Sequence, residues 1–450
     1  MAKPNQSMLE GSLLPAVIRY TIPIICTSIL QLLFNAADLV VVGRFCGSVS
    51  VAAVGSTSSL TNLMVNFFIG LSIGAGVTVA HGLGSREDTV VHNTVHTAIP
   101  TALVSGVILT VIGLLFSEKF LAMMGTPDNV LPLASVYMRI YFCGATFTML
   151  YNFCAAILRA AGDTRSPLLY LTLAGIVNVI LNVVFVTQLQ LNVAGVALAT
   201  TISQGISAGL VLLTLARRTD ACRFLPGKMR FHKAQLSKIM RLGLPAGIQS
   251  SLFSISNVLI QSSVNSFGDV FMSGSAAAGN IENFVYAIQD SFHQTAVNFI
   301  GQNMGARKYR RVRQILWTCM GCVTLFGMVF GFSAWHFGPQ LLSIYITDSP
   351  QAIADGMIRL SFITLPYFLC GQMNVTTGAL RGLGASVVPM AITILGVCGF
   401  RIFWIYTFFQ LFHTPQCLFV SYPISWAITL FCQMIAFYLV CRKYPKEDCQ

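Results

Sequence analysis

Twelve times along this chain an apolar run long enough to cross a lipid bilayer is followed by a more polar connection. A membrane-spanning helix takes about 20 residues, and runs such as LVSGVILTVIGLLF, at 103–116, carry no charge at all. The hydrocarbon layer offers the backbone no water, so only helices and closed barrels satisfy its N–H and C=O groups there. Barrel strands would alternate apolar and polar residues over about ten positions; unbroken runs predict helices instead. The spans are read as 15–42, 51–80, 93–116, 130–158, 165–188, 193–216, 242–267, 277–302, 312–335, 355–380, 387–410 and 418–441. Composition agrees. Only 9% of residues are charged and 55% are hydrophobic, against about 25% charged in a soluble domain. A soluble chain so built could not cover its surface, and disorder needs the opposite balance. The expected fold is an all-α integral membrane protein of twelve helices.

The net charge of +12 would suggest an acidic partner in a soluble protein. In a membrane protein it places basic connections on the cytoplasmic side. Segment 217–241 carries Arg217, Arg218, Arg223, Lys228, Arg230, Lys233, Lys238 and Arg241, and segment 303–314 carries Arg307, Lys308, Arg310, Arg311 and Arg313. Arg86, Arg159, Arg165, Arg381, Lys3, Arg442, Lys443 and Lys446 fall on the same side by parity, against Arg44 and Lys119 on the other. Both termini are therefore expected in the cytoplasm and the chain in the plasma (inner) membrane, with no nucleic-acid partner. The first apolar run follows a polar start and is full length, so it reads as a retained span rather than a cleaved signal. The 13 cysteines are scattered without a disulfide framework. Cys319 and Cys322 form a CxxC inside an apolar run, where neither redox chemistry nor metal binding is expected. His92 and His96 lack a third ligand and read as interfacial.

The chain repeats itself. Arg19-Tyr-Thr-Ile-Pro23 returns as Arg241-Leu-Gly-Leu-Pro245, Ser28 as Ser250, Asn35 as Asn257, Leu158-Arg159 as Leu380-Arg381, and Pro167 as Pro389, all at an offset of 222. Gly84-Ser-Arg86 returns as Gly305-Ala-Arg307. Six spans are thus duplicated, and because six is even both copies run the same way through the membrane. The expected domains are a first lobe, 1–216, a basic linker, 217–241, and a second lobe, 242–450, related by a pseudo-twofold axis along the membrane normal. Such lobes suit alternating access. No HExxH or paired-aspartate set occurs in the spans, so the chain is not read as an enzyme.

Polar groups inside a membrane are costly and tend to face the bundle interior. Span one carries Ser28, Gln31, Asn35 and Asp38 along one helical stripe. Span five carries Asn178 and Asn182 one turn apart, and span six carries Thr200. One carboxylate with amide and hydroxyl oxygens suits a proton or a monovalent cation such as Na⁺, and no other metal site is expected. In the second copy the stripe is Asn257, Gln261 and their neighbours, with Ile260 at the position of Asp38. Span eight instead offers Glu282, Tyr286, Gln289, Asp290 and His293, either a substrate surface or second protonation site, or a structural network between helices. Met64, Phe67, Phe68, Tyr137, Tyr141, Met149, Tyr151, Tyr367 and Met373 could line an aromatic, adaptable interior. Pro23, Pro245 and Pro366 mark bend points.

These residues resemble a known family, the multidrug and toxic compound extrusion transporters of bacterial type. The resemblance rests on the order of the spans and on Pro23, Asp38-Leu-Val-Val-Val-Gly43, Gln302-Asn-Met-Gly305-Ala306, Ile-Leu-Arg159-Ala-Ala-Gly-Asp163-Thr164, Ala-Leu-Arg381-Gly and Asn178-Val-Ile-Leu-Asn182. It implies a secondary antiporter, without cofactor and expected to be a monomer, that exports small lipophilic cations in exchange for H⁺ or Na⁺. Asp38 would be the coupling carboxylate, completed by Asn178, Asn182 and Thr200. Some members carry Asp at the position of Asn182, which this chain does not, leaving Asp38 as the only acid there. The alternative is a lipid or oligosaccharide flippase of the wider superfamily, which would need a basic cavity; only Arg139, Arg359 and Arg401 lie well inside spans.

Overall fold

The computed structural model describes residues 8–346 and 349–445. Lys3 and Lys446, counted above among the cytoplasmic charges, lie outside the described residues. The described chain is helical, without strands, and the helices form twelve spans. In the first copy these are α1 (Leu13–Phe45), α2 (Ser48–Gly84), α3 (Asp88–Met123), α4 (Leu131–Cys143 and Ala145–Ala160), α5 (Arg165–Gln188) and α6 (Asn192–Arg217). In the second they are α7 (Lys233–Asn265), α8 (Asp269–Gly305), α9 (Tyr309–His336), α10 (Pro350–Ile363 and Tyr367–Gly382), α11 (Val387–Leu411) and α12 (Pro415–Cys441). Ten of them, counting α4 and α10 as one span each, are long and apolar enough to cross a membrane alone. The two that fall short are α7, rich in Ser, Gln and Asn, and α8, which carries Glu282, Gln289, Asp290 and His293. Most helices overrun the apolar runs that announced them; α7 already starts at Lys233 because its basic first turns extend beyond the span.

The duplication is visible in the backbone. Left-handed residues recur in pairs: Gly47 and Gly268 (φ 85° and 91°), Arg86 and Arg307 (both 57°), Gly162 and Gly384 (88° and 87°). A bulky residue rarely adopts positive φ. Both arginines do so because the turn after the helix closes on a carbonyl five residues back, Glu87 N–H to Gly82 O at 3.0 Å and Lys308 N–H to Asn303 O at 2.9 Å. The fourth span of each copy bends, α4 by 45° at Gly144 and α10 by 46° just before Tyr367. Gly144 and Pro366 are 222 positions apart. One break follows from a residue that weakens helix, the other from one that cannot donate to it. Pro23 and Pro245, by contrast, sit inside uninterrupted helices.

The chain forms two compact units, and their limits fall inside helices rather than at the linker. One unit holds Cys26–Ser251, the other the first half of α1, as far as Ile25, with the chain from Leu252 onward. Within the first unit the early half of α7 lies against α2, where a Cβ on Gly70, Gly74, Gly243 or Gly247 would meet the backbone of the facing helix. Within the second, the early half of α1 packs on α8 through Tyr20 against Phe299 at 5.2 Å and a Thr21–Thr295 hydroxyl contact of 2.8 Å. Each unit has its own apolar core. Met149, Tyr151, Tyr367 and Met373 belong to these cores and so serve as packing.

Segment 217–232 is tied to α3 by a buried histidine. His96 Nδ1–H donates to His92 O at 2.8 Å, and its Nε2 accepts the Leu225 N–H at 3.0 Å. Thr97 Oγ1 accepts the His232 N–H at 3.1 Å. Sequence spacing alone marked His96 as interfacial and could not show this role, because its partner lies 129 residues away.

Candidate functional site

Three helices of the first unit bring Asp38, Asn178, Asn182 and Thr200 together. Asn178 and Asn182 share a face of α5 because they are one turn apart, and both are buried. Just beyond them α5 widens into a π-turn, Val184–Gln188, a common feature beside functional groups. Asp38, near the end of α1, is 8% exposed. Asn182 Nδ2 donates to its Oδ1 at 2.5 Å, and Thr200 Oγ1 lies 3.3 Å from its Oδ2. Asn182 Nδ2 also reaches Asn178 Oδ1 at 3.2 Å, and Asn178 Nδ2 reaches Thr200 Oγ1 at 3.4 Å.

Counting protons shows what this cluster lacks. Thr200 has a single hydroxyl hydrogen, and Val196 O at 2.9 Å is a nearer acceptor than Asp38. With that hydrogen given to Val196, Asp38 Oδ2 faces an oxygen lone pair. Asn182 Oδ1 is buried and accepts no hydrogen bond among the described residues. The ion pairs among the described residues are Arg139–Glu118, Arg218–Asp220 and Arg359–Glu282, so no basic side chain neutralises Asp38. The site is a carboxylate among oxygen acceptors inside an apolar wall that includes Val41, Val42, Val54, Tyr137, Val193 and Val196. A proton or a small monovalent cation complements such a donor set.

The remaining sequence candidates lie elsewhere. Gln31 and Asn35 on α1 and Asn257 and Gln261 on α7 are exposed, and Gln261 bonds Asn265 of its own helix at 3.0 Å. Glu282 is not free: Arg359 grips it with two bonds, Nε to Oε1 at 2.9 Å and Nη2 to Oε2 at 2.8 Å, while Nη1 reaches Ser275 Oγ at 2.9 Å. Asp290 accepts from Gln294 at 2.9 Å. His293 Nδ1–H donates to Asn374 O at 2.7 Å, leaving Nε2 to accept from Arg381 Nη1 at 3.4 Å. Gln289 is fully buried with neither amide atom bonded among the described residues, and Tyr286 is half-buried nearby on α8. The span-eight stripe is therefore mostly a network between α8 and α10. Sequence reading missed Arg359 as the partner of Glu282, since 77 residues separate them. It also left Arg401 without a role, although this is the largest fully buried side chain among the described residues.

A family model for MatE matches residues 23–184 and again 245–407. The chain belongs to the MatE family. The double match repeats the internal duplication, beginning 222 residues apart. Among curated relatives, the Probable multidrug resistance proteins YoeA and YpnP of Bacillus subtilis are each 27% identical. The alignments cover 91% and 90% of this chain and 90% and 89% of the relatives. A solved structure titled as MATE in complex with MaL6 superposes with a TM-score of 0.91 at 20% identity, over 98% of this chain and 99% of that one. The fold is that of the twelve-helix, two-lobe MATE transporters, and this MatE chain is a multi-pass membrane transport protein.

Proposed function

We propose that this MatE protein exports cationic amphipathic compounds across the plasma membrane, driven by entry of H⁺ or Na⁺, with both termini in the cytoplasm. The observation that carries the reading is Asp38: a buried carboxylate beside an orphaned amide oxygen, with no cationic side chain against it. The names of the Bacillus relatives point the same way. An uncompensated charge in a membrane interior is expensive. An incoming cation at Asp38 removes that charge, the cationic cargo loses its electrostatic hold, and the lobes return inward by alternating access. Fully reversing a two-state bias takes roughly 5.5 kcal/mol, so neutralisation of one buried carboxylate is of a suitable order. Asn182 holds the carboxylate in place through its Nδ2–H, and Asn178 accepts from Asn182 and donates to Thr200 beside it.

The test is ethidium efflux from cells expressing the protein, under an imposed pH gradient and separately under a Na⁺ gradient. Gradient-driven efflux is expected in the wild type and lost in Asp38→Asn at equal membrane abundance. Full export by that variant overturns the role given to Asp38.

A further inference from the structure

The second copy of the Asp38 cluster has not simply been lost; its charge has been reversed. The register shows this. The buried positions Pro167 and Leu171 of α5 correspond at offset 222 to the buried Pro389 and Thr393 of α11. Ala174, Gly175, Asn178 and Val186 correspond at offset 223 to the buried Val397, Cys398, Arg401 and Phe409. The π-segment Ile394–Gly399 begins directly after Thr393 and contains Val397 and Cys398, where the offset changes, and a π-turn accommodates one extra residue. The family match agrees, starting 222 and ending 223 residues apart. In α12 the offset returns to 222: buried Ser203, Ser207, Val211 and Leu215 map to buried Ser425, Thr429, Gln433 and Phe437. So Asp38, Asn178, Asn182 and Thr200 are answered in the second unit by Ile260, Arg401, the half-buried Ile405 and Tyr422.

Arg401 is 1% exposed. Its guanidinium lies 3.9 Å from the Tyr422 ring centroid, with Trp426 and Phe253 at 5.8 and 5.9 Å, and Nε donates to Ser425 Oγ at 3.1 Å. Nη1 and Nη2 have no acceptor among the described residues, and neither does the buried Trp426 Nε1–H. The one buried acid in an ion pair, Glu282, is already held by Arg359. A guanidinium cannot shed its proton, and aromatic faces offset only part of a buried charge. Unused N–H donors on an uncompensated cation, with a further unbonded N–H on an indole that packs near it, complement an anion.

We propose that Arg401, with Trp426 Nε1–H, forms an anion site in the second unit that takes one singly charged group: a free halide or the carboxylate of a zwitterionic cargo. One guanidinium balances one negative charge, which sets this site apart from a pyrophosphate cradle.

The probe is bromide. Crystals of the wild-type protein grown in bromide are expected to show an anomalous peak within hydrogen-bond reach of Arg401, and iodide is expected to quench Trp426 fluorescence saturably. Trp426→Phe removes the saturable component and Arg401→Gln abolishes the binding. No peak and no saturable quenching in the wild type overturns the proposal, whether or not the variants fold. Both readouts are independent of transport, so failure of the export reading is seen separately. In proteoliposomes, loss of rhodamine B transport in Arg401→Gln with ethidium transport kept assigns the anion to the cargo. Chloride-dependent ethidium transport that disappears in the variant assigns it to free halide.

Discussion

Asp38 depends unequally on its neighbours. Asn182 donates a short bond to it, whereas Thr200 divides one hydrogen between Asp38 and Val196 O. Gradient-driven ethidium efflux is therefore expected to fall in the order Thr200→Val, Asn182→Ala, Asp38→Asn, the last reaching background; initial rates at equal expression check the order. The Glu282–Arg359 pair is buried and held by two bonds. Removing one partner of such a pair costs about 3–5 kcal/mol, so Glu282→Gln and Arg359→Met should each lower the thermal midpoint in detergent. The double variant Glu282→Met with Arg359→Met should recover most of the loss. At this scale the sequence was informative where spacing along one helix sets the geometry, as for Asn178 and Asn182. It was silent where partners come from distant helices, as for Glu282 with Arg359. Arg401 was hidden by a single inserted residue that shifts the repeat by one.

Among the elements, the contact of α2 with the early half of α7 is the most sensitive to added volume. Gly74 and Gly243 face one another so closely that a Cβ on either would meet backbone, which cannot give as a flexible side chain can. Overpacking of this kind costs about 1–3 kcal/mol. Gly74→Ala and Gly243→Ala should each destabilise by that order in a denaturation series, while Gly209→Ala and Gly321→Ala, which open onto free space, should not. The twelve apolar runs and their duplication were legible because both repeat over long distances. The bend at Gly144 was not: a glycine within an apolar run gives little local signal, whereas its counterpart Pro366 announced a break. The exposed Gln31 and Asn35 share a sequence stripe with Asp38, but the Asp38 cluster closes through α5 and α6 without them.

For the molecule as a whole, orientation and the linker are open to direct tests. Gly227 lies in the basic linker. A cysteine placed there should react with a membrane-impermeant maleimide only after the cells are opened; labelling in intact cells would reverse the assignment of both termini. Asp220, in the same linker, is exposed; partial desolvation raises its carboxyl, but hydrogen bonds and charge from Arg218 outweigh it and hold it below its ordinary value. A carboxylate depressed in the folded state adds stability above its unfolded value, near 4, and loses it as pH falls through the lower folded value. Hydrogen-exchange protection at Cys222–Leu225, relative to the unstructured rate at the same pH, should therefore fall on acidification below about pH 4, and Asp220→Asn should remove that component.

Because the borders of the two compact units run through α1 and α7, the order of synthesis matters. The leading half of α1 leaves the ribosome first, yet it belongs with residues from Leu252 onward and must wait for them. The unit built on Cys26–Ser251 is in turn unfinished until α7 has been half made. A gene cut at the linker would yield two fragments, each lacking a half-helix that the other carries. Each fragment is therefore expected to be stable only when the other is made beside it.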